Sequence, residues 1–355
     1  MAEILSLDRA KSQDGTGVRV AERPIEPPAQ PHRFSQFIRA VGRGVTLSRS
    51  LTLEEAEAAM GMILEGEVEP EQLGAFLLVL RYRKETPEEL AGFVRAARAR
   101  MAAMPSASAD IDWPSYADRH QQRPYFVLAA LLLAANGLRV LMHGIPGQGP
   151  ATTPAALRAF GLAPAADAES AAAALGKSNF AYLPLEAFCP SLERLFALRP
   201  LLGLRSPANT FARELNPFAA PSQLQGVFHP TYLATHQETA RLLGQARAAV
   251  FKGGGGEVQC NPAKPCRVAL LHDGVAEEEV WPALTPGQTY AWRGEDLDPS
   301  HLVEVWRGAW TAAVPVAAVV GTVAIALKLS GRAESREEAQ ALARALWDSR
   351  DKSAF

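Results

Sequence analysis

From residue 112 onward, short apolar runs alternate with helical stretches, and no other feature narrows the fold as far. "LRVLMHG" (138–144), "NFAYLPLEAF" (179–188), "AAVFKGGGG" (248–256) and "RVALLHDG" (267–274) read as strands that end in turns. Strands separated by helix-length segments cannot pair through tight hairpins; they need crossovers, and crossovers produce a substantially parallel sheet. The longest apolar run, Ala312 to Leu327, contains Pro315 and Gly321 and falls short of the roughly 20 residues that a membrane helix needs. It reads as a buried core helix. "SREEAQALARALWDS" follows as an amphipathic helix begun by Ser335.

A different grammar precedes residue 102. Thr52 with Glu55 three residues on forms a capping box, Gly66 stops that helix, and Pro70 opens the next in its first turn. Thr86-Pro87-Glu88-Glu89 opens a third helix with Leu90, Phe93, Val94 and Ala97 on one face. The expected organisation is a flexible leader at residues 1–33, a helical domain at 34–101, and an α/β domain at 102–355. "SLERLFALRPLLG" needs a helical partner face, so residues 190–215 are expected to pack back on the helical domain.

With 36 Lys and Arg against 38 Asp and Glu, net charge gives no argument for a polyanion or a membrane surface. Local segregation does. Pro31 to Ser50 carries Arg33, Arg39, Arg43 and Arg49 and no acid, whereas Leu51 to Leu80 carries seven Glu and no Lys or Arg. Arg81 to Lys84 is basic again, and Arg194, Arg199, Arg205 and Arg213 recur later. Three cysteines make no disulfide framework and fit a reducing, cytoplasmic setting. Cys260 and Cys266 read as loop cysteines rather than zinc ligands, and Cys189 as a buried thiol.

"GEVEPEQLGAFLLVLRYRKETPEELAGF" resembles the N-terminal helical domain of the anthranilate phosphoribosyltransferase superfamily, glycosyltransferase family 3. The likeness continues through "LRVLMHG", "AFCPSLERLFALRPLLGLRSPANTF", "GVFHPTYLATHQETARLLG" and the segment that closes the chain, in the family's order. It implies an α/β fold with a small all-helical N-terminal domain, the nucleoside phosphorylase/phosphoribosyltransferase-like architecture. The family holds phosphoribosyl pyrophosphate through a Gly-Thr-Gly-Gly-Asp loop, a Lys-His-Gly-Asn turn and a Ser/Lys-rich stretch, and Mg²⁺ through an Asp-Glu pair. Here "DIDWPSYADR" (110–119) has no glycine, and Pro114 has no N–H to offer a phosphate. Met142-His143-Gly144-Ile145 lacks the Lys and the Asn. Thr152 and Thr153 remain without a Lys, and Gly256-Glu257 keeps a single carboxylate. The degenerate phosphate positions are thus His143, Gly144, Thr152, Thr153 and Glu257, with no catalytic residue, cofactor or metal expected.

Gly42-Arg43-Gly44 and "GGGGEVQCNP" resemble the YbiB-like branch of that superfamily. This implies a homodimer that binds DNA or RNA without sequence preference along a basic groove, with no membrane partner. Arg39, Arg43, Arg194, Arg199, Arg205 and Arg213 are the candidate contacts. The alternative is a phosphoribosyltransferase-like enzyme with an altered substrate. Arg199, which matches the family's acceptor-contacting Arg, suits either reading. Trp113, Tyr116 and Tyr125 would fill the vacated pyrophosphate pocket or stack on bases.

Overall fold

Four helices precede the first strand in the computed structural model of the chain, which describes residues 30–118 and 121–355; the expected leader lies almost entirely outside that range. They are α1 (Ser35–Gly42), α2 (Leu53–Glu65), α3 (Pro70–Arg83) and α4 (Pro87–Arg98). Their ends are set by local chemistry. The Thr52 hydroxyl accepts from Glu55 N–H at 3.2 Å while the Glu55 carboxylate accepts from Thr52 N–H at 3.0 Å, and Thr86 and Glu89 repeat the exchange at α4. Gly66 closes α2 at φ 77°, a conformation that costs a residue with a Cβ. At the α2–α4 crossing, a Cβ on Gly92 would lie 2.3 Å from the Leu53 carbonyl, so only glycine permits this approach.

Arg49 grips Glu55 through two hydrogen bonds of 2.5 and 2.6 Å and, as the largest cause, holds its carboxyl down at about 2. The folded pKa lies below the ordinary 4.5, so this contribution is present above about pH 4.5 and fades as pH falls towards 2. Because the pair is partly exposed, its share is small. Thr52→Ala is expected to cost about 1 kcal/mol by urea unfolding, the usual worth of an N-cap; an unchanged midpoint would show that the cap contributes nothing.

The bundle core is a run of edge-on rings. Phe34 and Phe76 lie 5.1 Å apart, Phe76 and Phe93 6.4 Å, and Phe93 and Phe211 5.6 Å. Phe211 belongs to the 190–215 segment, which α4 also meets through Arg98, a donor to the carbonyls of Glu214 (2.8 Å) and Leu215 (3.0 Å).

Seven strands form one sheet: β1 (Ile111–Ser115), β2 (Val140–Gly144), β3 (Phe180–Pro184), β4 (Ser222–Val227), β5 (Arg247–Lys252), β6 (Cys266–His272) and β7 (Val275–Trp281). Their order is β3-β2-β1-β4-β5-β6-β7. The first five pair in parallel; β6 and β7 add an antiparallel hairpin, turned at Asp273 (φ 47°) and Gly274 (φ 85°). The sheet is therefore mixed.

The pleat sorts side chains by parity. Trp113, Val140, Met142, Leu224 and Phe251 share one core with the helices Phe126–Ala135 and Ala313–Leu329. Leu141, Ala181 and Leu183 belong to the core shared with the helical bundle. Among the described residues no helix is long and apolar enough to cross a membrane.

Candidate functional site

On the bundle side of the sheet the central strands carry polar residues instead of apolar ones. The Asp112 carboxylate lies 3.1 Å from His143 Nε2 and accepts from Gln223 Nε2 at 2.8 Å. Gln225 Nε2 donates to Gln223 Oε1 (2.8 Å) and to Glu214 Oε2 (2.6 Å), and Glu214 Oε1 stands 2.8 Å from His236 Nδ1. At the other end the Tyr116 hydroxyl meets His143 Nδ1 at 2.8 Å. All seven side chains are buried, so each group depends on its neighbour in place of water. Burial pushes the Tyr116 phenol well above its usual range, and it stays a neutral partner to the imidazole.

Beyond the C-terminal ends of β1, β4 and β5 lies a cleft of about 590 Å³. Gly253, Gly254 and Gly255, of the turn Gly253–Gly256, are part of its lining. A Cβ on Gly253 would stand 1.6 Å from the Glu257 carbonyl, and Gly255 and Gly256 have φ of 65° and 94°, so the turn exists only as glycine. Arg213 clamps this turn from beneath, donating to the carbonyls of Gly256 (2.8 Å), Gly226 (2.5 Å) and Asn209 (3.2 Å). Five cations and one carboxylate, Glu257, line the cleft, with Tyr290 and Trp292 on one wall. Cys260 also lines it, but burial pushes its thiol up to about 12, leaving it unreactive at neutral pH.

Two family models match the chain: "Glycosyl transferase family, helical bundle domain" over residues 35–101 and "Glycosyl transferase family, a/b domain" over 127–350. The chain belongs to this glycosyl transferase family. Among its relatives, the "Uncharacterized protein YbiB" of Escherichia coli K12 is 30% identical over 245 residues, 67% of this chain and 76% of the relative. Anthranilate phosphoribosyltransferase of Azorhizobium caulinodans is 30% identical over 331 residues, 89% of this chain and 93% of the relative. The crystal structure of anthranilate phosphoribosyltransferase from Thermus thermophilus superimposes with a TM-score of 0.77 at 25% identity, covering 90% of this chain and 95% of that one.

At the positions that the resemblance sets against the family's phosphate motifs, most side chains have partners within the protein. Residues 111–115, in the stretch that the resemblance sets against the family's Gly-Thr-Gly-Gly-Asp loop, are strand β1, every residue buried. His143 Nδ1 is taken by Tyr116, while its Nε2 lies 3.1 Å from Asp112 Oδ1 without a hydrogen bond between them. Gly144 is pressed on Ser115, whose carbonyl a Cβ would meet at 2.2 Å. Thr152 caps the helix Thr153–Ala159 by accepting from Ala155 N–H at 3.2 Å, and Thr153 shares a 2.9 Å hydroxyl contact with Ser115. Glu257 accepts the Ala117 N–H at 2.7 Å. Among the described residues its Oε2 has no hydrogen-bond partner, and no group of three or more His, Cys, Asp or Glu side chains is placed to hold a metal ion.

The candidate arginines separate into three groups. Arg39, Arg43 and Arg194 are exposed and free of ion pairs among the described residues. Arg199 and Arg205 hold the turn at Asp118: Arg199 pairs with its carboxylate, and Arg205 donates to its carbonyl at 2.7 Å. Arg213 is a correction, because it is 7% exposed and committed to three carbonyls; it cannot reach a polymer's phosphates. Trp113, Tyr116 and Tyr125 are wholly buried, so of their two readings stacking on bases is excluded. The aromatics that do line the cleft are Tyr290 and Trp292, which sequence reasoning passed over. Their signal was "YAWRG", two aromatics next to an arginine in a loop.

Proposed function

We propose that this protein is a non-enzymatic member of the family that binds DNA or RNA without sequence preference, as a homodimer with a basic groove. The observation that carries the reading is β1. Where relatives' donor loop would lie, Trp113, Pro114 and Tyr116 are buried and Tyr116 is bonded to His143. A strand so placed presents no run of free N–H groups to a pyrophosphate. What stays available to an anion is the exposed set Arg39, Arg43 and Arg194. A dyad would double that set, which offsets the small count per chain. Val45, Leu47, Leu78 and Tyr82 leave large apolar surface exposed on the helical bundle, and such surface supports association between copies.

Fluorescence anisotropy of labelled oligonucleotides of unrelated sequence, titrated with the full chain, tests the reading. Saturable binding with similar affinity for all of them supports it; no binding at low salt removes it. Calorimetric titration with phosphoribosyl pyrophosphate and Mg²⁺ at millimolar concentration is expected to give no saturable heat. Mg²⁺-dependent saturation would instead favour a transferase with an altered acceptor.

A further inference from the structure

Between the hairpin β6–β7 and the helix Ser300–Arg307 the chain runs along the cleft without helix or strand. Both ends of this segment are fixed. Leu284 and Thr285 donate their N–H groups to the Pro262 carbonyl at 2.8 and 2.9 Å, and the Asp298 carboxylate accepts the Ser300 N–H at 2.9 Å where the helix starts. The middle is held differently. Among the described residues, the backbone–backbone hydrogen bonds of residues 286–297 reach no farther than three positions along the chain. None of these residues is buried, and only Tyr290, Trp292, Glu295 and Leu297 are partly covered.

A few side chains tie that middle to the body. Arg123, buried on the body, is fixed from two sides: its guanidinium lies 5.0 Å from the Trp310 ring and donates to the Tyr125 hydroxyl at 3.2 Å. From the segment, the Glu295 side chain is inserted like a peg, 5% exposed although its neighbours Gly294 and Asp296 lie at the surface. Its carboxylate stands 3.9 Å from the Arg123 guanidinium and accepts the Arg123 N–H at 3.4 Å. Tyr290 meets Tyr125 hydroxyl to hydroxyl at 3.4 Å, and the Trp292 ring packs edge-on against Tyr125 at 6.1 Å. The polar contacts that span segment and body are all long. Glu295 Oε1 and Arg123 Nε are buried without a hydrogen-bond partner, a cost that water would remove if the segment lifted. Backbone held only by its own turns and by such contacts opens at a lower free energy than the core beside it.

We infer that residues 286–297 are a strap, hinged at its two fixed ends and latched by Glu295 on Arg123, that lifts off the cleft while the rest of the chain stays folded. Gly287 (φ 77°) and Gly294 lie on either side of Tyr290 and Trp292 and give the strap backbone freedom around its rings. Lifting takes Tyr290, Ala291, Trp292 and Arg293 out of the cleft lining and uncovers Tyr125. Entry from this side is then set by the latch. The inference rests on the hold between strap and body, and it stands whatever the cleft or the exposed arginines bind.

Limited trypsin digestion of the full chain, read by mass spectrometry, tests it. Arg293 is exposed and followed by Gly294, so the strap carries a cleavage site, whereas Arg123 precedes Pro124 and is not cut. Where reclosing outpaces cleavage, the rate of cutting follows the population of the open form. The parent is expected to be cut after Arg293 while the remaining chain stays whole. Glu295→Ala and Trp292→Ala, which remove the peg and the ring packed on Tyr125, should each raise that rate about tenfold or more. Thr52→Ala, in the helical bundle far along the chain, lowers the stability of the whole fold and should leave the Arg293 rate as it is in the parent. Either strap variant cut at the parent's rate overturns the inference. So does an Arg293 cut that appears only together with cuts throughout the chain, or one that Thr52→Ala accelerates in proportion to its loss of stability, because the strap would then open only when everything does.

Discussion

Replacing Arg39, Arg43 and Arg194 together by Ala is expected to weaken nucleic-acid binding by about 10²-fold or more at low salt, for every sequence alike. Polyanion affinity comes mainly from releasing condensed counterions, so log K falls with log salt at about −0.9 per phosphate neutralised on duplex DNA. Each arginine removed from each subunit of a dimer should flatten that slope by roughly one. Binding measured by anisotropy between about 50 and 200 mM salt decides the matter. Stability should hardly change, because all three side chains are exposed and, among the described residues, free of ion pairs. Arg199→Ala and Arg205→Ala differ in kind: each frees one hold on the Asp118 turn, and their effect on the slope should be the smaller. A triple variant with the parent's affinity and slope would remove the groove from the account.

The second large effect concerns folding. Trp113→Ala should lower stability by about 3 kcal/mol, towards the lower end of the ~3–5 range for emptying a large buried aromatic position. The ring is 0% exposed and packs within the core shared with the helices Phe126–Ala135 and Ala313–Leu329, elements with little freedom to collapse into the space. The lower end is expected because the indole N–H has no hydrogen-bond partner, so losing it relieves part of the cost. Trp113→Phe should keep most of the stability. Urea unfolding followed by circular dichroism measures both, and an Ala variant within about 1 kcal/mol of the parent would show that β1 is not the packed strand described.

This strand also shows why the phosphate positions were legible only in part. The absence of glycines and the presence of Pro114 already predicted that donors were missing. That the stretch would continue as a strand, with Tyr116 bonded to His143, depends on β2 and β4 lying on either side of it. Glu257 behaves in the same way: the carboxylate could be counted in the sequence, but its acceptance of the Ala117 N–H could not.

Helix boundaries, the helical domain and the alternation that builds the sheet were in the sequence by itself. Thr52 with Glu55, Thr86 with Glu89, Gly66 and Pro70 act within about four residues of themselves, so their chemistry is complete before anything else folds. Strand β4 was not legible, because "SQLQGV" has the polarity of a loop. Tertiary structure makes it central: Gln223 finds Asp112 at a separation of 111 residues, and Gln225 finds Glu214, which lets polar side chains be buried. The fates of the arginines were decided there too. Arg39 and Arg213 are the same residue type in equally ordinary sequence; one stands in solvent, and the other is enclosed by the carbonyls of Asn209, Gly226 and Gly256. Exposure is a property of what packs over a side chain, and the chain folds that cover from segments distant in sequence.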